Sequence, residues 1–351
     1  MLFSFFIEKE NIKVKGKKLI ISKGDKCMKK SLTKILALLL MTSTLSFAGC
    51  SNSKSTSTEP KKEEAKSKII GISVPAATHG WVAATAYYSE KKAKELGLEY
   101  KLVVSANPSE QAGQLDELIA MKPAAIVLLP QNDEVTVAAQ KVLDAKIPLV
   151  NFDRKVNVDS TAYIAGDNVG IGVESAKYIG EKLNKEGSVV IVGVPSWGAI
   201  NTERIKGFKD YVSKNLPNIK IINEYGAATA ASQDGLKVMA DALTANKKID
   251  AVFSVDDELS IGIQKALEEA KRTDVKVVTG GGGMQAYFNL IKAQDKTWYA
   301  SALYSPSMIQ DAVQIAKDII DGKTPEKTKI IPSVVVDRDN ADKYLDAKSP
   351  Y

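Results

Sequence analysis

The fold is decided by residues 69–74, which read IIGISV and lead into the polar segment THGW at 78–81. The six residues are mostly apolar throughout and do not alternate between apolar and polar. A strand that is covered on both faces has this composition, and such strands belong to parallel sheets. The stretch therefore predicts a buried parallel strand whose carboxyl end leads into a polar loop.

Five further runs have the same composition and predict further buried strands. They are AAIVLL at 124–129, PLVNF at 148–152, SVVIV at 188–192, DAVFSV at 250–255 and VKVV at 275–278. Between the runs, apolar residues such as Ile205, Phe208 and Val212 recur at helical spacing. This alternation predicts an α/β fold with doubly wound parallel sheets. About 280 residues follow position 67, more than one core usually holds, so we expect two lobes.

The formal charge of +6 originates in the first 49 residues. They hold ten lysines and three acidic residues, which leaves 38 of the 48 basic and 39 of the 42 acidic residues in the rest of the chain. A nearly neutral chain offers no basic surface for nucleic acid. Cys27 and Cys50 both precede the folded part, so we expect no disulfide and no thiolate metal site there. We also expect no cofactor.

Residues 28–49 have the organisation of an export signal. Lys29-Lys30 give a positive start, an apolar stretch follows at 35–41, and Ala48-Gly49 supply small residues at the cut. The apolar stretch has the length of a signal peptide and is too short to span a membrane. We therefore expect a signal peptide that is removed after Gly49.

The residue after this signal, Cys50, is a candidate lipidation site. The segment resembles the bacterial lipobox, although Phe47 stands where that family usually has leucine. Residues 50–67 are polar and suit a flexible tether, and two acyl chains suffice for stable anchoring. Ordinary secretion, with an incidental Cys50, is the alternative. We expect translation to start at Met28 and residues 1–27 to be an untranslated upstream extension.

Polar and aromatic side chains follow four of the predicted strands, where parallel α/β proteins bind ligands. The segments are Thr78-His79-Gly80-Trp81, Asp153-Arg154, 196–201 and Asp256-Asp257-Glu258. A sugar needs this mixture, because its C–H faces stack on aromatic rings while its hydroxyls donate to carboxylates and accept from arginine or asparagine. Asp257 and Glu258 suit a helix start, so Asp256 is the ligand candidate of its group.

The order of several motifs resembles that of ribose-type periplasmic binding proteins over residues 69 to about 340. The motifs are Asn151-Phe152-Asp153-Arg154, Ile164-Ala165-Gly166-Asp167-Asn168 with Gly170 and Gly172, Glu203-Arg204 with Gly207-Phe208, and Asp256-Asp257-Glu258 with Gly262 and Ala266-Leu267. The resemblance implies a type I fold, in which two lobes joined by a three-segment hinge close around a ligand. It implies an N-terminal lobe of 69–166 plus 304–331 and a C-terminal lobe of 167–303 plus 332–351.

The same resemblance implies that the protein is the extracytoplasmic receptor of a sugar-importing ABC transporter. Its partners would then be a sugar, a membrane permease and an ATPase. A lipid on Cys50 would suit the outer face of a Gram-positive cell membrane. We expect a monomer that binds no nucleic acid.

The family's first-lobe binding positions carry over well. Asp153 and Arg154 match outright, Trp81 falls where the family has a stacking aromatic residue, and His79 falls where it has a polar one. In the second lobe, Asp256 replaces the usual asparagine. These matches imply ligand contact by all five residues.

Other positions depart from the family pattern. Tyr304 stands where a glutamine is found, Thr202 falls at the second-lobe arginine, and the run GGGG at 280–283 lacks the aspartate of a Gly-Phe-Asp-Gly loop. A phenylalanine position falls near Ala230, so Trp197 is expected to supply that stacking face. Smaller side chains leave room for a hexose or a short oligosaccharide. The candidate ligand-binding residues are His79, Trp81, Asp153, Arg154, Trp197, Asn201, Asp256 and Tyr304.

Three alternatives remain open beside the sugar receptor. A LacI-type regulator would need a helix-turn-helix, whereas a signal and tether precede the first lobe here. An enzyme is disfavoured, because the chain has one histidine and neither a nucleophile elbow nor a metal-ligand spacing. The receptor could also take a furanone of the autoinducer-2 type, a polyol or a nucleoside.

Overall fold

The computed structural model describes residues 68–77 and 80–351. The predicted upstream extension at 1–27, the predicted signal peptide, the candidate lipidation site Cys50, the predicted tether and His79 lie outside these ranges. In the described part of the chain, no helix combines the length and the apolar character that crossing a membrane requires.

The described residues alternate strands with helices over most of their length. The strands are β1 (Ile70–Pro75), β2 (Tyr100–Ser105), β3 (Ala125–Leu128), β4 (Leu149–Phe152), β5 (Ala162–Gly166), β6 (Glu186–Gly193), β7 (Asn218–Gly226), β8 (Ala251–Ser254), β9 (Val277–Gly282), β10 (Trp298–Leu303), β11 (Thr328–Ile331) and β12 (Val335–Val336). The α-helices are α1 (Gly80–Glu95), α2 (Pro108–Ala120), α3 (Thr136–Asp144), α4 (Asn168–Lys182), α5 (Ala199–Asn215), α6 (Ser232–Ala245), α7 (Asp257–Glu269), α8 (Gln285–Ala293) and α9 (Ile309–Ile320). Four short 3₁₀ turns lie at Asp133–Val135, Pro195–Trp197, Pro306–Met308 and Ala341–Lys343.

The strands form two sheets, one for each lobe. The first has the order β11-β5-β4-β3-β1-β2 and is parallel throughout. The second has the order β12-β10-β9-β8-β6-β7 and is parallel except for its edge strand β12, which pairs antiparallel with β10. The predicted α/β fold with two doubly wound lobes is confirmed, and β12 is the one departure from parallel pairing in the described ranges. The exact lobe boundaries stay a prediction.

The six apolar runs lie on β1, β3, β4, β6, β8 and β9. Strand β3 illustrates why they do not alternate, since successive side chains point to opposite faces of a sheet. Ala125 and Val127 pack into the core on one face, whereas Ile126 and Leu128 pack into a separate core on the other. Helices cover both faces, so both sets of side chains must be apolar.

In the second lobe there are two pairs of helices whose members pack closely against each other at glycine residues. A Cβ atom at Gly172 of α4 would lie less than 3.0 Å from the Arg204 carbonyl oxygen of α5, and one at Gly207 of α5 would approach the Val169 carbonyl as closely. Gly262 and Gly235 give α6 and α7 the same backbone contact. These glycines set how closely the helices pack over the sheet.

We expect Gly172→Ala to destabilise the protein by about 1–3 kcal/mol, because the added methyl group must separate α4 from α5. The matched control is Gly113→Ala in α2, where a Cβ would meet nothing within 4 Å. That change should stabilise the protein by about 0.5–1 kcal/mol through helix propensity. Urea unfolding midpoints measure both effects. Equal shifts in the two variants would contradict the packing argument.

Candidate functional site

Three backbone crossings join the two sheets, one after β5, one after β10 and one between β11 and β12. They are hydrogen-bonded to each other. The Asp167 amide donates to the Ile331 carbonyl at 3.1 Å, and the Leu303 amide donates to the Val334 carbonyl at 2.9 Å. The crossings form one narrow band, and the loops that end the strands lie next to it.

Tyr304 follows β10 directly and connects the two lobes. Its hydroxyl donates to Asp153 Oδ1 at 2.6 Å, and its carbonyl accepts from Trp81 Nε1 at 2.8 Å, both in the first lobe. Its amide donates to the Gly282 carbonyl at 3.1 Å, and its ring lies 5.3 Å from the Arg204 guanidinium, both in the second. The glutamine of the family pattern is thus replaced by a buried residue that touches both sides of the cleft.

Asp153 lies at the carboxyl end of β4 with a left-handed φ of 62°. Its carbonyl accepts from the Tyr163 hydroxyl at 2.8 Å, which fixes this strained turn. Burial raises the pKa of the Asp153 carboxyl, while the Tyr304 hydrogen bond and the positive charges of Arg154 and Arg204 oppose that shift. No described residue donates to the second carboxylate oxygen, and ligand contact by Asp153 stays a prediction.

Arg154 and a cavity lie beside this carboxylate. The Arg154 side chain is exposed and its Nη1 donates to the Gln131 carbonyl at 2.5 Å, which holds it on the first lobe. The cavity has a volume of about 380 Å³, within the range of small-molecule sites. Its lining includes Asp153, Arg154, Tyr163, Asn168, Glu203 and Tyr304.

Arg204 brings the opposite charge to the cleft from α5. It is 5% exposed, and its Nε donates to Asn168 Oδ1 at 3.0 Å and its Nη1 to the Val255 carbonyl at 2.7 Å. The guanidinium lies 5.6 Å from the Trp197 ring. Arg204 was not among the predicted ligand-binding residues and was noted only as part of a motif. A signal was present, because a charged residue four positions before the buried Phe208 interrupts an apolar stripe.

Asp256 caps helix α7. Its Oδ1 accepts from the amides of Glu258 and Leu259, at 2.8 and 3.1 Å, so Asp256 is the N-cap and the helix begins at the next residue. Burial, followed by the charge of Asp257, raises the pKa of Asp256 to about 7. The other carboxylate oxygen has no donor among the described residues.

Asp257 starts helix α7, as predicted, but its side chain turns toward the glycine run. Its Oδ2 accepts from the amides of Gly283 and Met284, at 2.6 and 2.9 Å, and from Ser301 Oγ at 2.8 Å. Burial raises its pKa, and these donors oppose the shift. Asp257 therefore fixes the loop that follows β9.

The remaining candidates divide between the cleft and its supports. Trp81 is 9% exposed, and its ring stacks on Phe152 with centroids 6.2 Å apart. Trp197 is half-buried on the second lobe. Asn201 accepts from the Val194 amide at 2.7 Å, so its carbonyl oxygen holds the loop after β6. Direct ligand contact by these three residues stays a prediction.

Histidine, cysteine and carboxylate side chains do not gather anywhere in residues 68–77 and 80–351 into a group that could hold a metal ion. The cleft between the lobes instead offers hydroxyl, carboxylate and guanidinium groups beside aromatic rings. Such groups bind polar ligands by hydrogen bonds and need no metal for that purpose.

Comparison with known proteins extends this description. Residues 70–324 match the model of the periplasmic binding protein domain. The ribose import binding protein of Bacillus subtilis is 28% identical over 87% of this chain and 98% of its own length. A xylitol-binding protein of Mycolicibacterium smegmatis is 25% identical over 67% of each chain.

Among solved structures, a periplasmic solute-binding protein of an ABC transporter from Actinobacillus succinogenes, with bound D-allose, has the same fold. Its TM-score is 0.68 at 23% identity, and the match covers 79% of this chain and 99% of that one. The fold of the described residues is thus shared with that solute-binding protein.

We expect Asp256→Asn to stabilise the protein more strongly at pH 8 than at pH 5. The folded protein holds the Asp256 proton up to about pH 7, whereas an unfolded aspartate loses it near pH 4. The Asp256 carboxyl therefore makes its full contribution to the free energy of unfolding below about pH 4. That contribution is lost as the pH rises through about 7. Asparagine keeps the cap without that loss, so the gain at pH 8 should be about 1–4 kcal/mol.

Thermal unfolding at the two pH values measures this difference. The matched control is Asp274→Asn, since the hydrogen bonds from Arg272 lower the pKa of Asp274 to about 2. Asp274 is charged at both pH values, so this control should destabilise the protein equally at pH 5 and pH 8. An Asp256→Asn effect that is the same at both values would contradict the assignment.

Proposed function

The chain belongs to the periplasmic binding proteins that serve ABC import of sugars and polyols, and we propose that it captures a hexose or a short oligosaccharide between its lobes. The observation that carries this proposal is the contact of Tyr304 with one oxygen of the Asp153 carboxylate, whose other oxygen has no donor among the described residues and belongs to a residue that lines the cavity. An oxygen of this kind accepts from a sugar hydroxyl with a charge-assisted hydrogen bond. The relatives are import receptors, and the chain is no enzyme.

The mechanism is a population shift between open and closed lobes. A ligand that binds Asp153 and Arg154 on the first lobe would be contacted by Arg204 and Asp256 on the second after closure. The population of the closed state then rises by an amount set by the difference between the ligand's affinities for the closed and the open state. A membrane permease and its ATPase would receive the closed, loaded form.

A polyol is the second candidate ligand. The relative from Mycolicibacterium smegmatis is a xylitol-binding protein, and polyols offer the same hydroxyl groups without a ring. The aromatic residues Trp81, Trp197 and Tyr304 favour a ring with an apolar face instead. We therefore prefer a cyclic sugar.

We further propose that the receptor is anchored to the outer face of the cell membrane through a lipid on Cys50. The signal at 28–49 and the polar tether at 50–67 support this proposal. We also propose that the receptor acts as a monomer, so that each lipid-anchored chain carries one ligand-binding cleft.

The ligand is found by calorimetry and tryptophan fluorescence with glucose, galactose, allose, ribose, xylitol and cellobiose. We expect micromolar or tighter binding of at least one. Asp153→Asn should weaken it by about 10- to 100-fold, because a charge-assisted hydrogen bond is lost. The control, Asp116→Asn, removes an exposed carboxylate that pairs with Lys141 and should leave affinity unchanged. If the protein is folded and free of bound ligand and still binds none of the six compounds, the proposal is wrong.

Lipidation is tested by growing cells with a labelled fatty acid. The label should appear on the wild-type protein and be absent from the Cys50→Ser variant. That variant should be found in the medium instead of the membrane fraction. Ser55→Ala, in the same polar tether, is the matched control and should keep both the label and the membrane association. Equal labelling of the Cys50→Ser and wild-type proteins would exclude the anchor.

A further inference from the structure

Tyr351 reaches into the cleft beside the glycine run of β9. If residue 282 carried a Cβ, that atom would lie less than 3.0 Å from the Tyr351 hydroxyl and 3.5 Å from its ring carbon Cζ. Position 282 is the third of the four glycines, where the Gly-Phe-Asp-Gly pattern has its sugar-binding aspartate. The phenol of Tyr351 thus lies where that aspartate side chain would begin.

Gly282 cannot easily carry the missing side chain itself. Its φ is +148°, a backbone conformation that residues with a Cβ rarely adopt. The polar group at this corner of the cleft must therefore come from elsewhere in the chain, and Tyr351 supplies one.

The segment that carries Tyr351 is attached to both lobes. Asp346 accepts from Lys91 Nζ on α1 at 3.0 Å, and its amide donates to Gln285 Oε1 on α8 at 2.7 Å. The Tyr351 ring packs against the first-lobe core, and its Cδ2 would lie 3.1 Å from a Cβ at Gly80. The side chain therefore begins at the first lobe and ends at the second, as a bound sugar would.

The surroundings of the hydroxyl are those of the ligand site. Burial raises the pKa of Tyr351, and the charges of Asp256 and Asp257 raise it further, whereas Arg204 opposes them. The phenol therefore stays protonated and can donate a hydrogen bond. It differs in this from a carboxylate, which only accepts.

From this placement we propose that Tyr351 is a specificity-determining residue of the ligand site, and that it fits the cleft to a single sugar ring. The inference rests on the sugar-receptor function proposed above. The Tyr351 phenol places a hydrogen-bond donor where the family pattern has a carboxylate acceptor. Its ring also fills space that the glycines would otherwise leave open for a second sugar unit. It favours a hexose over a disaccharide.

The test compares wild-type protein with Tyr351→Phe, Tyr351→Ala and the control Tyr344→Ala, titrated by calorimetry with the six compounds named above. Tyr344 lies in the same segment, is 36% exposed and faces Phe288 on the second lobe. For the best monosaccharide, Tyr351→Phe should lose about two- to tenfold in affinity through the lost hydroxyl. Tyr351→Ala should lose at least tenfold while its affinity for cellobiose rises, and Tyr344→Ala should match the wild type.

Nitration with tetranitromethane gives a readout that needs no variant. Trypsin separates Tyr344 from Tyr351 by cutting after Lys343 and Lys348, so mass spectrometry follows each ring. Tyr351 should react more slowly than Tyr344 without ligand, and more slowly still with saturating monosaccharide. Faster nitration of Tyr351 on ligand addition would mean that sugar expels the ring, which overturns the proposal.

Two failures can be told apart. If the wild-type protein binds a monosaccharide and Tyr351→Ala binds it equally well or more tightly, this inference is wrong and the receptor function stands. If neither protein binds any of the six compounds, the sugar-receptor function fails and this inference fails with it. Thermal unfolding verifies that each variant is folded, and Tyr351→Phe keeps the ring where Tyr351→Ala removes it.

Discussion

The hydrogen bond from the Tyr304 hydroxyl to Asp153 is the contact on which the cleft depends. Tyr304 belongs to a crossing between the lobes, and Asp153 ends a strand of the first sheet. The buried carboxylate has lost water, and the tyrosine hydroxyl replaces part of that hydration. Hydrogen bonds to charged groups contribute about 1.5–3 kcal/mol, so this contact holds the crossing against the first lobe. Tyr304 then presents its ring to Arg204 on the other side.

The buried charges of the cleft favour an uncharged ligand. Asp153 has the Tyr304 hydroxyl, Asp256 has two helix amides, and Arg204 donates to Asn168 and to a backbone carbonyl. Each of these buried groups is thus partly compensated by hydrogen bonds before any ligand binds. A charged ligand would bring an additional ion to desolvate, whereas hydroxyl groups can use the remaining acceptors and donors. Sugars and polyols meet this condition.

The sequence predicted what depends on local composition. Uniformly apolar runs predicted buried parallel strands, because helices cover both faces of each sheet. The extent of β9 was missed, since backbone pairing with β10 continues through Gly280 to Gly282 without any side-chain signal. Arg204 and Tyr351 were missed as residues of the cleft for a different reason. Their positions depend on how distant segments meet. The interrupted apolar stripe marks Arg204 as unusual, but it does not encode which segments that residue meets.

The glycine contacts of the second lobe have a mechanical consequence. Because α4 meets α5, and α6 meets α7, with backbone against backbone, this lobe has little freedom to deform internally. Bending must then be concentrated in the three crossings, which lie side by side and are hydrogen-bonded to each other. A flat band of this kind folds readily about one axis and resists shear and torsion. The surface that this lobe presents to a transporter would therefore keep its local shape, and occupancy would be signalled by the angle between the two lobes.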